Sequence, residues 1–252
     1  MSHFTVAVFT DNETTVDSLL EPYDERKEVE VCINRTREDM ISDARSRAEF
    51  LRKRKIAGEI ISEYEQKYLM AKTDEELYDL ERDDDEEYDD DGNELTTCNP
   101  DAKWDWYTIG GRWKKAFTAY GIDPYGTRVG DIKVLFDPDC YKRASRFWEL
   151  YVEGQEPMTD EDKQLIKFEF YQKEYYLERY VDKETYAQCR AAFSTFAVIT
   201  PDGIWHEQGE MGWFGMSSET NEDGLDWEKN YIERFIKTAD PNWTLYIVDC
   251  HI

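Results

Sequence analysis

Residues 4–10 read Phe-Thr-Val-Ala-Val-Phe-Thr, a run of apolar and β-branched residues that predicts a strand. Residues 245–252, Leu-Tyr-Ile-Val-Asp-Cys-His-Ile, predict another strand at the far end of the chain. Between them, residues 193–200 predict a further strand, and the turn Pro-Asp-Gly at 201–203 leads into a return strand. Helical segments separate these strands irregularly. We therefore expect an α+β fold, an antiparallel or mixed sheet with helices packed on one face.

Composition limits the classes of function. The chain has 252 residues and a formal net charge of −26 at pH 7. Such a surface disfavours direct binding to nucleic acid and favours binding to a protein that itself binds nucleic acid. With 40% apolar residues the chain can form a core, and we interpret residues 1–252 as a single domain with a helical and acidic insertion at 35–97.

Cysteine spacing and hydropathy indicate the compartment. The five cysteines include no CxxC pair, which excludes a zinc ribbon and predicts free thiols in a reducing cytosol. No run approaches the roughly eighteen apolar residues of a membrane span, and the N-terminus lacks the regions of a signal peptide. We expect a cytoplasmic protein without membrane contact.

The insertion combines a helical part with an acidic tract. Apolar residues at helical spacing between 40 and 68 predict one long helix or a helical pair interrupted at Gly58. Between 74 and 94, fourteen residues are acidic and only Arg82 is basic. Runs of aspartate form helices poorly and repel one another, which favours disorder. In the alternative, the tract folds back on the basic residues that precede it.

Two glycine-containing motifs provide candidate functional residues. Residues 104–113, Trp-Asp-Trp-Tyr-Thr-Ile-Gly-Gly-Arg-Trp, form either an aromatic core corner with an Asp105–Arg112 ion pair or a stacking site for a planar ligand. Residues 205–215 form either a structural loop or a site in which His206 does acid–base work with Glu207 or Glu210. The candidate catalytic residues, expected in one aromatic-lined pocket with Trp213, are His206, Glu210, Asp105 and Arg112.

Two of the three histidines stand near the chain ends. His3 opens the first strand and His251 nearly ends the last. If these strands are antiparallel neighbours, the imidazoles lie close together, with Asp249 on the same strand face as His251. His3, Asp249 and His251 are thus a weak candidate for a divalent metal site, although strand-end histidines are more often ordinary hydrogen-bonded residues. We expect neither a metal nor another cofactor.

Several segments resemble a family of uncharacterised proteins encoded by bacteriophages, integrative elements and bacterial genomes. The resemblance lies in the motifs WDWYxIGGRW, GEMGWFG and VDCHI and in residues 196–203, and it covers about residues 99–252 plus the first strand. It implies no particular catalytic residues. It implies that the protein is encoded by a phage or mobile element. Small acidic proteins of such elements often disable host defence by occupying a basic nucleic-acid channel.

We therefore expect an anti-defence protein rather than an enzyme. It would inhibit a nucleic-acid-binding host defence protein in the host cytoplasm, with carboxylates replacing phosphates in a basic groove. The alternative is an enzyme or a protein that binds a nucleotide or base in an aromatic-lined pocket. The expected partner-binding residues are Asp83, Asp84, Asp85, Glu86, Glu87, Asp89, Asp90, Asp91, Trp104, Trp106, Trp113 and Trp213.

Overall fold

A computed structural model describes residues 2–167, 171–212 and 216–252. The chain divides into two compact units, a larger one formed by residues up to 24 together with 101–252 and a smaller one formed by 25–100. The smaller unit contains the predicted insertion and extends beyond it at both ends. On its N-terminal side, the backbone N–H of Val29 donates a hydrogen bond to the carbonyl of Thr97 at 3.0 Å. Among the described residues, no helix has both the length and the apolar character needed to cross a bilayer.

The secondary-structure elements are numbered in chain order within the described residues. The strands are β1 (His3–Thr10), β2 (Cys32–Arg35), β3 (Glu87–Tyr88), β4 (Glu94–Thr96), β5 (Trp106–Ile109), β6 (Thr127–Arg128), β7 (Ala197–Ile199), β8 (Trp205–Glu207) and β9 (Thr244–His251). The α-helices are α1 (Val16–Leu20), α2 (Arg37–Ile56), α3 (Glu63–Met70), α4 (Asp74–Glu81), α5 (Pro138–Tyr151), α6 (Asp160–Leu165), α7 (Lys173–Tyr180), α8 (Lys183–Ala191) and α9 (Asn221–Tyr231). A π-helical turn at Ile232–Ile236 follows α9 directly.

A six-stranded mixed sheet forms the centre of the larger unit. Its order is β5-β9-β1-β7-β8, and β6 pairs with β9 beside β5. The β1–β7 pair is parallel, whereas β1–β9, β5–β9, β6–β9 and β7–β8 are antiparallel. The predicted α+β class with a mixed sheet is therefore confirmed.

Apolar side chains cover both faces of this sheet. On one face, Val6 and Val8 pack with Leu20 of α1. On the other, Ala7 and Phe9 pack with Tyr231 of α9. The central residues of β1, from Val6 to Phe9, are all apolar and fully buried, so this part of the strand is covered on both sides. Helix α9 covers one face of the sheet, as predicted. Helix α1 covers the other face, which the sequence did not predict.

In the smaller unit, helices α2 to α4 accompany a three-stranded antiparallel sheet of order β2-β4-β3. Helix α2 begins at the N-cap Thr36, whose side chain and that of Asp39 form a capping box. It ends shortly before Gly58, which adopts φ +81°. Of the two predicted alternatives, the helical pair interrupted at Gly58 is therefore the correct one. Leu51 of α2 packs with Tyr68 of α3 in the core of this unit.

The acidic tract has regular structure, so the expectation of disorder is wrong. Residues 74–94 form α4, a tight turn and most of the β3–β4 hairpin. The Asp89 carboxylate accepts hydrogen bonds from the side-chain amide of Asn93 at 2.9 Å and from the backbone N–H groups of Asn93 at 2.8 Å and Asp91 at 3.0 Å. These bonds lower the pKa of Asp89, with the Asn93 side chain the largest cause. The aspartates order the hairpin because they cap its backbone.

The thiols differ in accessibility, and this difference predicts their reactivity. All five cysteines are free, as the sequence predicted. Burial raises the pKa of the Cys189 thiol to about 12 and that of Cys250 well above its ordinary value. Because the thiolate is the nucleophile, we expect iodoacetamide at pH 8 to alkylate exposed Cys98 in the native protein and to leave Cys189 and Cys250 unmodified. Peptide mass spectrometry measures this, with urea-unfolded protein as the fully labelled control; rapid native labelling of Cys250 would contradict its burial in β9.

Candidate functional site

Three adjacent strands bring polar side chains together at one end of the six-stranded sheet. In the β1–β9 register His3 lies opposite His251, and in the β5–β9 register Trp106 lies opposite the same histidine. Residues directly opposite on adjacent strands present their side chains on the same face. Asp249 is two residues before His251 on β9 and lies on that face too. The two imidazoles are close, with 4.9 Å between ring centroids.

Each of these imidazoles faces a carboxylate. His3 Nδ1 lies 2.9 Å from Asp249 Oδ1, and His251 Nδ1 lies 2.6 Å from Asp105 Oδ1. An ionised carboxylate only accepts hydrogen bonds, so in each pair the Nδ1 atom carries the hydrogen. Nε2 of the neutral ring is then an acceptor. The carboxylates thereby determine both the tautomer and the orientation of each ring. We call His3, Asp105, Asp249 and His251 the histidine–aspartate cluster.

A tight turn holds the buried carboxylate of Asp249. The backbone N–H of Arg112 donates to Oδ2 at 3.0 Å, and the indole Nε1 of Trp113 donates to Oδ1 at 3.2 Å. Gly111 adopts φ +46°, and a Cβ at this position would lie 2.8 Å from Asp249 Cγ and closer still to its Cβ. Glycine is required because the backbone closes over the carboxylate without room for a side chain.

Two side chains beside the cluster are accessible to a ligand. Trp106 is 40% exposed, and its indole stacks on the His251 ring with 5.3 Å between centroids and an interplanar angle of 17°. The Arg112 side chain is about half exposed, with its Nε 3.9 Å from Asp249 Oδ2. The indole and the guanidinium thus reach the solvent, whereas the His3 side chain is only 17% exposed and the His251 side chain is buried beneath them.

The structure corrects the predicted pairing within the first motif. Asp105 and Arg112 both belong to the site, but they do not bind each other. Asp105 binds His251, and Arg112 binds Asp249 through its backbone N–H. The pairing of Asp105 with His251 was not predicted, because nothing in the local sequence places β5 beside β9.

Of the other two predicted catalytic residues, His206 lies away from the cluster, and Glu210 has no hydrogen bond or ion pair with it among the described residues. His206 belongs to β8, which β7 and β1 separate from β9, and its ring contacts Phe235 with 5.3 Å between centroids. The backbone N–H of Glu210 binds the Ser218 hydroxyl at 2.9 Å in a loop after β8. Trp213 lies outside the described residues. The structure therefore does not place His206 in one pocket with Asp105 and Arg112.

The tryptophans expected to contact a partner have different roles. Trp104 is buried, and its indole Nε1 donates to the carbonyl of Leu20 at 3.1 Å. It stabilises the core and cannot anchor a partner, which corrects that prediction. Trp106 and Trp113 belong to the surroundings of the cluster. The eight acidic residues of the partner-binding prediction lie at 83–91 in the smaller unit.

In the first part of the acidic tract, three carboxylates pair with upstream arginines, namely Asp74, Glu75 and Glu81. Arg45 pairs with Asp74 at 2.5 Å, and Arg47 pairs with Glu81 at 3.3 Å. In contrast, none of the eight acidic residues at 83–91 forms an ion pair with any part of the chain that the structure describes. The fold-back alternative is correct for the first part of the tract, whereas the turn after α4 keeps its negative charge.

The weak metal candidate fails on geometry. The Nδ1 atoms of His3 and His251 face two different carboxylates rather than one common point. Within residues 2–167, 171–212 and 216–252, no group of three or more His, Cys, Asp or Glu side chains is arranged to hold a metal ion.

Comparison of the chain with protein-family models, with curated proteins and with solved structures gives no match. The chemistry of the cluster therefore follows from its own atoms. It offers two oriented imidazole acceptors, an accessible indole and a cationic side chain.

Proposed function

We propose that the histidine–aspartate cluster is the proton-transfer site of an enzyme that acts on a nucleotide or a related phosphate ester. The observation that supports this most strongly is the duplication of one arrangement. Each of two imidazoles, 4.9 Å apart, has a carboxylate at hydrogen-bonding distance from Nδ1. A single pair of this kind is common in protein cores, whereas two adjoining pairs beside an exposed indole suit a reaction that moves two protons.

The carboxylates prepare both rings for proton transfer. With a hydrogen on Nδ1, Nε2 can accept a proton, and the carboxylate stabilises the imidazolium that forms. One imidazole can then take a proton from the attacking oxygen while the other, in its protonated form, gives one to the leaving oxygen. Histidine suits both roles because its charge changes readily near neutral pH. The reaction class is hydrolysis or transfer at a phosphate ester.

Trp106 and Arg112 favour a nucleotide as the substrate class. An accessible tryptophan stacks on nucleobases, and each such contact contributes about 1–3 kcal/mol to binding. A guanidinium matches the oxygens of a phosphate group. In a chain with a net charge of −26, the half-exposed Arg112 gives an anionic ligand a cationic contact, although its Nε also lies 3.9 Å from Asp249 Oδ2.

Histidine substitutions test this proposal. The wild-type protein is first screened against ribonucleotides, cyclic nucleotides and bis-p-nitrophenyl phosphate, and we expect turnover of at least one of them. His251→Asn and His3→Asn should each lower kcat by about 10²-fold or more, because each removes one proton-transfer group. Circular dichroism and thermal melting check that the variants remain folded.

His206→Asn is the matched control, since this histidine is the one outside the cluster. It should retain wild-type kcat. No turnover of any compound in the panel, or equal losses for His206→Asn and His251→Asn, would reject the proposal.

A second candidate function is supported by the charged turn of the smaller unit. Here the protein would inhibit a nucleic-acid-binding host defence protein in the host cytoplasm, with the carboxylates at 83–91 occupying its basic groove. The supporting observation is that these eight residues lack ion pairs within the described chain, so their charge is available to a partner. Electrostatic association of this kind weakens steeply with salt.

Two charge-neutralised variants test the second candidate. Asp83→Asn/Asp84→Asn/Asp85→Asn removes unpaired carboxylates, whereas Asp74→Asn/Glu75→Gln/Glu81→Gln removes the same number of arginine-paired ones. Inhibition of DNA cleavage by purified host restriction and interference nucleases is measured at 50 and 200 mM salt. The first variant should lose inhibition and the second should keep it. Equal inhibition by both variants would reject this mechanism.

A further inference from the structure

The three-stranded sheet of the smaller unit has one covered face and one open face. Tyr88 of β3 points toward Tyr78 of α4, with 6.5 Å between ring centroids, so helices cover this face. Glu87 lies opposite Leu95, and Leu95 lies opposite Ile33. These three residues alternate with the covered positions and therefore share the open face.

The open face carries apolar side chains that water surrounds. Val31 is 62% exposed and Ile33 is 49% exposed. Leu95 lies next to Ile33 across the β2–β4 pair and is half-buried. Burial of apolar surface contributes about 25 cal/mol per Å², so such a row favours contact with another apolar surface.

Carboxylates border this apolar row. A groove of about 300 Å³ is lined by Val31, Leu95, Thr96 and Thr97 together with Asp85, Glu86 and Glu87. Among these lining residues none is basic, and the three acidic residues are among the eight at 83–91 that form no ion pair with the described chain. A concave surface lined by one sign of charge concentrates ligands of the opposite charge.

We propose that the open face of this sheet is a docking surface for a basic segment of a partner protein whose apolar side chains alternate with lysine or arginine. The apolar side chains of that segment would pack on Val31, Ile33 and Leu95, and its cations would pair with residues 85–87. This inference concerns the smaller unit and does not depend on the histidine–aspartate cluster. It adds an apolar contact to the charge complementarity of the second candidate function.

Charge complementarity selects this occupant over others. A second copy of the chain would place the carboxylates at 85–87 against the same carboxylates, and like charges repel at close range. An anionic lipid surface is repelled for the same reason. A polycation without apolar groups would leave the Val31–Ile33 row in water and forgo its burial.

Two peptide probes test the proposal on the full-length protein. One is a labelled sixteen-residue peptide of alternating lysine and leucine, and the other is an oligolysine of equal charge. Fluorescence anisotropy at 150 mM salt should show the lysine–leucine peptide binding at least about tenfold more tightly, a difference of about 1.4 kcal/mol. Equal affinities for the two peptides would overturn the proposal.

Substitutions then locate the contact. Val31→Thr/Ile33→Thr should remove the advantage of the lysine–leucine peptide. The matched control Ile56→Thr/Ile60→Thr alters two side chains of the same unit that are 88% and 91% exposed, and it should leave both affinities unchanged. Thermal melting establishes that each variant is folded. An equal loss in the control, or unchanged binding by Val31→Thr/Ile33→Thr, would overturn the assignment to this face.

Discussion

Gly111→Ala is expected to lower the free energy of unfolding by about 2–4 kcal/mol, from backbone strain and overpacking together. Gly111 has φ +46°, a conformation that a residue with a Cβ adopts at a cost. The new Cβ would also meet Asp249, whose Cγ lies 2.8 Å away. Asp249 is buried on β9 and cannot swing aside, so the turn must move and release the hydrogen bond from the Arg112 backbone.

Urea unfolding followed by tryptophan fluorescence measures this effect. Gly121→Ala is the matched control, because Gly121 also has a left-handed φ of +68° but no described atom within 4 Å of an added Cβ. It should cost only the backbone contribution of about 1–2 kcal/mol. If the two variants lose the same stability, the close approach of the turn to Asp249 is not a feature of the folded protein. Gly111→Ala should also lower any phosphate-ester turnover, since His3 would lose its fixed carboxylate.

Glu228→Ala is expected to destabilise the larger unit by about 3–5 kcal/mol, because it leaves a buried guanidinium without its principal carboxylate. Arg179 is 6% exposed, and its Nη2 lies 2.7 Å from Glu228 Oε1. Its Nη1 donates to the hydroxyl of Tyr175 at 3.1 Å and is 3.4 Å from Glu219. The remaining carboxylate, Glu219, lies farther from the guanidinium than Glu228 does, and a side chain that is 6% exposed gains little solvation from water.

Asp226→Ala is the control on the same helix. Asp226 pairs with Arg234 at 2.5 Å, but both side chains are about half exposed, so the solvent screens the interaction. Exposed pairs of this kind contribute about 0–1 kcal/mol. Chemical denaturation should therefore show a clearly larger loss of unfolding free energy for Glu228→Ala than for Asp226→Ala. Similar small losses would show that solvent reaches Arg179 and that the pair is not buried.

Local sequence patterns predicted several elements well. The strand predicted at 4–10 is β1, and the strand predicted at 245–252 is β9. These predictions are correct because the periodicity of such segments is a local property of the chain. Elsewhere the local pattern misleads: the capping sequence that starts at Thr159 predicts a helix to about Tyr180, whereas the structure has two helices there, α6 and α7. The backbone at Gln172, the N-cap of α7, is extended with φ −70° and ψ 155°.

The sequence by itself determined that His3 opens one strand and that Asp249 and His251 share a face of another, since side chains alternate along any strand. Only the tertiary structure decided that β5 pairs with β9, which brings Asp105 to His251 across 146 positions of sequence. Only it decided which carboxylates of the acidic tract meet an arginine. The reason is that strand order and register depend on burial between distant segments, and no local period encodes which distant segment that is.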